Sequence, residues 1–262
     1  MADDDQPFRP LSGASLGLTV PPSSLDPEPE AGPFDVSPEQ RYTAGGVIGR
    51  GGMGEIRATF DARLQRVVAV KSPTLNDPVS ERRLKAEALL TARLAHPGIV
   101  AIYDAGRGPD GRPFYTMPVV RGRSLADAIA GAKLAERLRL MRHFLDACEA
   151  VAYAHSAGLL HRDLKPANIL VGPFGETIVV DWGLAGPIGE RAGSSSCPVG
   201  TPGYLAPEQA RGEPLFPTAD VFSLGVTLRQ LITDCHPGDG VLPRAEPGIP
   251  PELTAIAERK NK

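Results

Sequence analysis

Long apolar runs are absent from this 262-residue chain. No stretch reaches the roughly 20 apolar residues that a membrane-spanning helix needs. The N-terminus is acidic and lacks the basic, then apolar, then small-residue order of a secretory leader. Cysteine is scarce: Cys148, Cys197 and Cys235 lie far apart and form no C-x-x-C pair. A disulfide framework and a cysteine zinc site are both disfavoured, and a reducing, cytoplasmic setting is expected. Excess positive charge is lacking too. The net charge of -3 argues against a nucleic-acid binder that works by bulk electrostatics. What is present is an ordinary apolar content of 42%, enough for the core of one large domain or two small ones.

Residues 1–40 carry Asp3, Asp4, Asp5, Asp26, Glu28, Glu30, Asp35 and Glu39 against Arg9 alone. Prolines are frequent there and large apolar side chains few, so little surface is available to offset ordering entropy. A solvated, disordered tail is expected, in preference to a docking segment. The pattern changes at Arg41, where a domain running to residue 262 is expected to begin.

Residues 42–48 read as a strand. Gly49, Gly51, Gly52 and Gly54 follow, then strands over 55–60 and 66–71. Glycines let backbone N–H groups approach phosphate oxygens. A similar spacing opens dinucleotide-binding folds, but there a helix follows the glycines, whereas here a strand does. A hairpin with no ligand is the plain alternative. Val68, Ala69 and Val70 lead into Lys71, a lysine whose apolar approach calls for an anion, either a phosphate or Glu87. Ser80 reads as the N-cap of a helix over 81–94, with Leu84, Leu89, Leu90 and Leu94 on its apolar side. Strands are expected over 101–103 and 113–120. A helix opens at Ser124 with Asp127 as its capping-box partner. One long helix is expected over 134–157, with Leu138, Met141, Leu145, Cys148 and Ala152 as its apolar stripe and Gly158 as its stop. His143 and His155 read as structural residues.

The densest chemistry lies in residues 161–170. Asp163 is placed to orient a hydroxyl and take its proton, Lys165 to neutralise a phosphate, and Asn168 to ligate a metal. A strand over 177–180 delivers Asp181, followed by Trp182 and Gly183. By itself, a carboxylate at a strand end beside a glycine is common and carries no role.

These phrases, with His96-Pro97-Gly98-Ile99-Val100 and the segment from Gly200 to Glu208, stand in one order. That ordered set resembles the eukaryotic-like serine/threonine protein kinases of the bacterial branch. The resemblance implies an α+β, bilobal fold. An antiparallel sheet lobe with one helix would cover 41–120, and a mostly helical lobe 121–262. It implies ATP and Mg²⁺ as cofactors and Ser/Thr hydroxyls of proteins as acceptors. Asp163, Lys165, Lys71 and Asn168 are implied to carry catalysis, and Asn168 and Asp181 to hold the metal. Glu87 would pair with Lys71. Ile56, Ala69 and Leu170 would flank the adenine, Met117 would be the gatekeeper, and Pro118 and Val120 would offer backbone atoms to the base. Thr201 would sit at the acceptor side, and Asp220 would hold the catalytic loop from behind. Arg162 would grip an activation segment phosphorylated at Ser194, Ser195 or Ser196.

Two departures stand out. Trp182 occupies a position where the family has Phe or Leu. Residues 250–259 resemble the start of the next family helix, no later segment supplies the arginine that pairs with Glu208, and a truncated helical lobe is expected. Two rival functions follow: a kinase-fold scaffold or inactive fragment, and a dinucleotide-binding enzyme built on the glycines.

Overall fold

In the computed structural model, residues 36–37, 40–43, 45–51, 54–192 and 199–237 are described. Gly52, Ser194, Ser195, Ser196, Cys197 and the helix expected at 250–259 lie outside them.

The N-terminal half is an antiparallel sheet of β1 (Tyr42–Thr43), β2 (Val47–Gly51), β3 (Gly54–Asp61), β4 (Arg66–Ser72), β5 (Asp104–Arg107) and β6 (Pro113–Pro118). Its order is β1-β3-β4-β6-β5, with β2 also paired to β3. The single strand expected over 42–48 is thus two short ones. Thr43 pairs with Phe60 and Val47 with Arg57, and the register slips between Val47 and Gly49. The strand expected over 101–103 begins three residues later, at Asp104–Arg107, and hairpins onto β6 around Gly111, which has a φ of 76°. Asp61 anchors the far end of the sheet. Its carboxylate is buried and takes two bonds from the Arg41 guanidinium, both 3.0 Å.

Helix α1 (Pro78–Thr91) begins three residues earlier than the sequence suggests. Asp77, not Ser80, is the N-cap. Its carboxylate accepts from the Val79 and Ser80 amides and from the Ser80 hydroxyl. Pro78 at the first helical position needs no partner for the donor it lacks. Leu84, Glu87, Ala88 and Thr91 form the inward face, while Leu89 is 71% exposed.

The C-terminal half is mostly helical. Strand β7 (Arg123–Ser124) leads into α2 (Leu125–Ile129), where Ser124 and Asp127 form the expected capping box. The long helix expected over 134–157 is broken into α3 (Leu134–Arg139) and α4 (Met141–Ser156) at Leu140. The buried face of α4 is Phe144, Ala147, Ala150, Val151 and Ala154, one residue out of phase with the expected stripe, and Leu145 is 55% exposed. Alanines at three of these positions let α4 approach its neighbours closely, so the apolar stripe is set by small side chains that hydrophobicity alone underrates. Gly158 stops the helix at a φ of 78°, a left-handed position suited to glycine.

Strands β8 (Leu159–Leu160), β9 (Ile169–Val171), β10 (Thr177–Val179) and β11 (Gly186–Pro187) complete two small sheets, β10-β9-β7 and β11-β8, that grip the loop between them. A short 3₁₀ turn, Pro166–Asn168, lies within that loop. Helices α5 (Pro207–Ala210) and α6 (Pro217–Thr233) close the described chain. One core joins α2, α4, β9, β10 and α6, with Leu125, Ile129, Leu164, Ile169, Val179 and Leu231 among its most buried members.

The link between the halves turns at Gly122, whose φ is 142° and whose Cα faces the Val171 carbonyl so closely that a Cβ would collide with it. Gly122→Ala combines a backbone clash with a strained φ. It is expected to lower unfolding free energy by about 2 kcal/mol or more, measured by urea denaturation.

Candidate active site

A cleft of about 590 Å³ opens between the sheet and the helical half. Strand periodicity places its roof. Ile56 on β3 and Ala69 and Lys71 on β4 point the same way, because side chains alternate across a strand. The β2–β3 turn supplies Gly49, Gly51 and Gly54 to the rim. Leu170 on β9 and Val180 form the floor, and Met117, Pro118 and Val120 the inner edge. The described residues expected to bind nucleotide or metal or to carry catalysis therefore line this one cleft, whereas Arg162, Thr201 and Asp220 lie outside its lining. Sequence reasoning missed Ile48, Val100 and Tyr115, also on its walls.

The Lys71 ammonium donates to Glu87 Oε1 at 2.6 Å and to Asp181 Oδ1 at 3.3 Å. Burial alone would push this ammonium's pKa down, but the charges of Glu87 and Asp181 outweigh it and hold it above the ordinary lysine value. Tyr115 adds a bond no motif announces. Its hydroxyl donates to Glu87 Oε1 at 2.9 Å, and burial together with that carboxylate raises the phenol's pKa. Glu87 is thereby held from two sides, and α1 is fastened to the sheet.

Across the cleft, three groups meet at the catalytic-type loop. Lys165 Nζ donates to Asp163 Oδ2 at 2.7 Å and to Thr201 Oγ1 at 2.6 Å, and the Thr201 hydroxyl donates to Asp163 Oδ1 at 2.6 Å. Asn168 Nδ2 donates to the Asp163 carbonyl at 2.8 Å and to its carboxylate at 3.2 Å. Those bonds use the amide nitrogen and orient the amide oxygen as the group left to ligate.

The loop rests on Asp220. This fully buried carboxylate accepts from the amides of His161 (2.8 Å) and Arg162 (2.9 Å), and His155 Nε2 lies 2.8 Å away. Burial pushes the Asp220 pKa up, but the His155 bond and the two amides prevail and keep it below the usual carboxylate value. His155, read from sequence as merely structural, braces the loop's anchor. Gln209 on α5 was missed altogether; its side chain donates to the carbonyls of Arg162 and Val199, each at 2.7 Å. These ties hold Arg162 at a φ of 68°, a left-handed backbone that costs a non-glycine residue about 1–3 kcal/mol. Asp181 is held likewise at 64°. The Arg162 guanidinium donates to the Pro187 carbonyl at 2.8 Å.

Trp182 is almost wholly buried. Its ring centroid lies 4.6 Å from that of His161, and its N–H reaches the Val179 carbonyl at 3.3 Å. The His161 ring accepts from the Asp163 amide through Nδ1 and lies 3.1 Å from the Val180 carbonyl through Nε2, partners that require the proton on Nε2. The larger aromatic is accommodated without displacing Asp181 from the cleft.

Among the described residues no cluster of three His, Cys, Asp or Glu side chains is arranged to hold a metal ion. A pair of oxygen donors, Asp181 and Asn168, is what the cleft provides, and it fits Mg²⁺, which keeps several waters and takes further oxygens from a phosphate.

The protein kinase domain family matches residues 42–242. Serine/threonine-protein kinase PknD of Protochlamydia amoebophila is 41% identical over 219 residues, covering 71% of this chain and 22% of that protein. Serine/threonine-protein kinase PknB of Mycolicibacterium smegmatis is 39% identical over 215 residues, and that of Mycobacterium tuberculosis 38% over 212. Each of these covers 78% of this chain and 34% of the relative. The chain thus spans between 22% and 34% of the length of these relatives.

Asp220→Asn replaces one accepting oxygen with an amide that faces donors, and is expected to cost about 1–3 kcal/mol of unfolding free energy at neutral pH. A carboxylate with a depressed folded pKa stabilises above its unfolded value and loses that contribution as pH falls through the folded one. The gap between parent and variant is therefore expected to be full above about pH 4 and to shrink below it, measured by urea denaturation across the acid range.

Proposed function

The chain belongs to the protein kinase family, and from that premise we propose that it transfers the γ-phosphoryl group of ATP to serine or threonine hydroxyls of protein substrates, with Mg²⁺ bound. The observation that carries this reading is the Asp163–Lys165–Thr201 triangle, with bonds of 2.6–2.7 Å, facing Lys71 across the cleft. A threonine hydroxyl already donates to the Asp163 carboxylate, so that carboxylate has the position and the acceptor capacity to orient an incoming Ser or Thr hydroxyl. On transfer it takes the hydroxyl proton while the oxygen attacks phosphorus in line.

Lys71 presents a positive charge to the donor's phosphates. Glu87 and Tyr115 keep that charge from wandering, so little reorganisation is needed in the transition state. Lys165 sits beside the attacking position and neutralises charge on the transferred group. Backbone N–H groups at Gly49, Gly51 and Gly54 cover the phosphates; Gly52 lies outside the described residues. Asn168 and Asp181 would hold the metal, which would supply positive charge to offset that of the phosphates. Ile56 and Ala69 above and Leu170 below sandwich the adenine, beside the gatekeeper Met117. Pro118 has no N–H, so it offers only its carbonyl to the base, and Val120 supplies the donor. The lobe boundary near Val120 belongs to the same reading, as does a cytoplasmic site of action. No described helix is long and apolar enough to cross a membrane.

Asp163→Asn keeps the size of the side chain and removes the proton acceptor. Transfer of radiolabel from ATP to a generic protein acceptor is expected to fall by about 10²–10⁴-fold, with nucleotide-induced thermal stabilisation retained. Lys71→Met should lose both. Should the parent incorporate no more label than Asp163→Asn, the proposed activity does not hold.

A further inference from the structure

The sheet has a second cavity, of about 630 Å³, on its other face. Arg57, Thr59, Val70 and Ser72 alternate along β3 and β4 with the residues that roof the cleft, so they point away from it. Helix α1 packs on the cleft face through Tyr115 and does not line this cavity. Tyr42 and Phe114, in edge contact at 5.5 Å, form an apolar wall, and Arg57, Arg107 and Arg112 surround it. Each arginine pairs with a nearby carboxylate, Glu55, Glu81 or Asp110, yet each remains well exposed and a guanidinium has five donors. Exposed pairs of this kind are worth little, so a competing carboxylate is admitted at small cost.

Charge is unevenly distributed along the chain. Residues 1–40 carry a net charge of -7, and residues 41–120, which build the sheet and α1, carry +5. The two stretches are joined beside the cavity. The Val36 carbonyl accepts from Arg63 at 2.7 Å, and Tyr42, a cavity wall, follows six residues later.

We propose that the acidic, proline-rich stretch of residues 25–35 docks in this outer-face cavity of its own chain. Asp26, Glu28 and Glu30 alternate with Pro27 and Pro29, a sequence that favours an extended chain with few free N–H groups. Eleven extended residues reach about 35 Å, enough to cross the cavity from Val36. Alternate carboxylates meet the arginines, and Leu25 and Phe34 are the apolar groups available to the Tyr42–Phe114 wall. The sequence alone favoured a solvated tail; the cavity, its arginines and its position at the point of chain entry favour docking. The inference is independent of the phosphoryl-transfer chemistry.

Hydrogen exchange on the full chain tests it, compared with Asp26→Asn/Glu28→Gln/Glu30→Gln and with Arg107→Gln/Arg112→Gln. Amides of residues 105–112 are expected to exchange about fivefold faster in either variant. The parent should match them in 0.5 M salt, where screening is nearly complete beyond a few Å. Equal exchange in parent and variants overturns the proposal. So does faster exchange spread over the whole sheet, which reports stability, and so does protection that rises with protein concentration, which reports a second copy.

Discussion

A buried carboxylate governs the rest of this molecule. Asp220, on α6, accepts from two consecutive backbone amides and from His155, and so turns one helix into the foundation of the loop that carries Asp163, Lys165 and Asn168. Without such acceptors, the His161 and Arg162 amides would be buried donors with no partner, which is costly. With them, Arg162 can be held in a left-handed conformation that its side chain disfavours. The strain turns the chain so that Asp163 faces the cleft and the Arg162 guanidinium faces β11. Gln209 completes the grip from α5, tying the loop to the segment that bears Thr201.

The two halves communicate through a second charged group, the Lys71 ammonium. It bonds Glu87 on α1 and reaches Asp181, which belongs to the helical half, so one cation spans the cleft. A buried ion pair of this kind stabilises little by itself, because desolvation offsets much of the attraction. Its value is positional. Moving α1 would strand a charged lysine and a charged glutamate in a poorly solvated place, so displacement of the helix and loss of the lysine's position are coupled. Tyr115 strengthens that coupling from the sheet side.

Much of the site was legible because it is written in short, ordered phrases. Asp163, Lys165 and Asn168 are neighbours in the chain, and Lys71 ends an apolar strand, so residue type and local pattern were enough to single them out. The supports were not legible. Tyr115 lies 28 residues from Glu87, Gln209 47 from Arg162, and His155 65 from Asp220. A tyrosine, a glutamine and a histidine of ordinary aspect carry no sign of which distant atom they will meet. The fold class was equally legible, but element limits were less so. Asp77 displaced Ser80 as a cap because both are good caps and only the packed chain chooses. The phase of α4 was misread because alanines, not leucines, mark its inward face.

From its sequence alone, this chain determined the alternation of its strands, the glycines of the β2–β3 turn, and an inventory of charged and amide groups of the kind that suits phosphoryl chemistry. Those follow from local sterics and from what each side chain can donate or accept. Tertiary structure decided what surrounds each carboxylate. Asp163, Asp181 and Asp220 are chemically the same. Asp163 meets Lys165 and Thr201, Asp181 opens into the cleft beside Lys71, and Asp220 closes on three N–H groups away from solvent. Burial and partners set a carboxylate's role, and those exist only once the chain has folded.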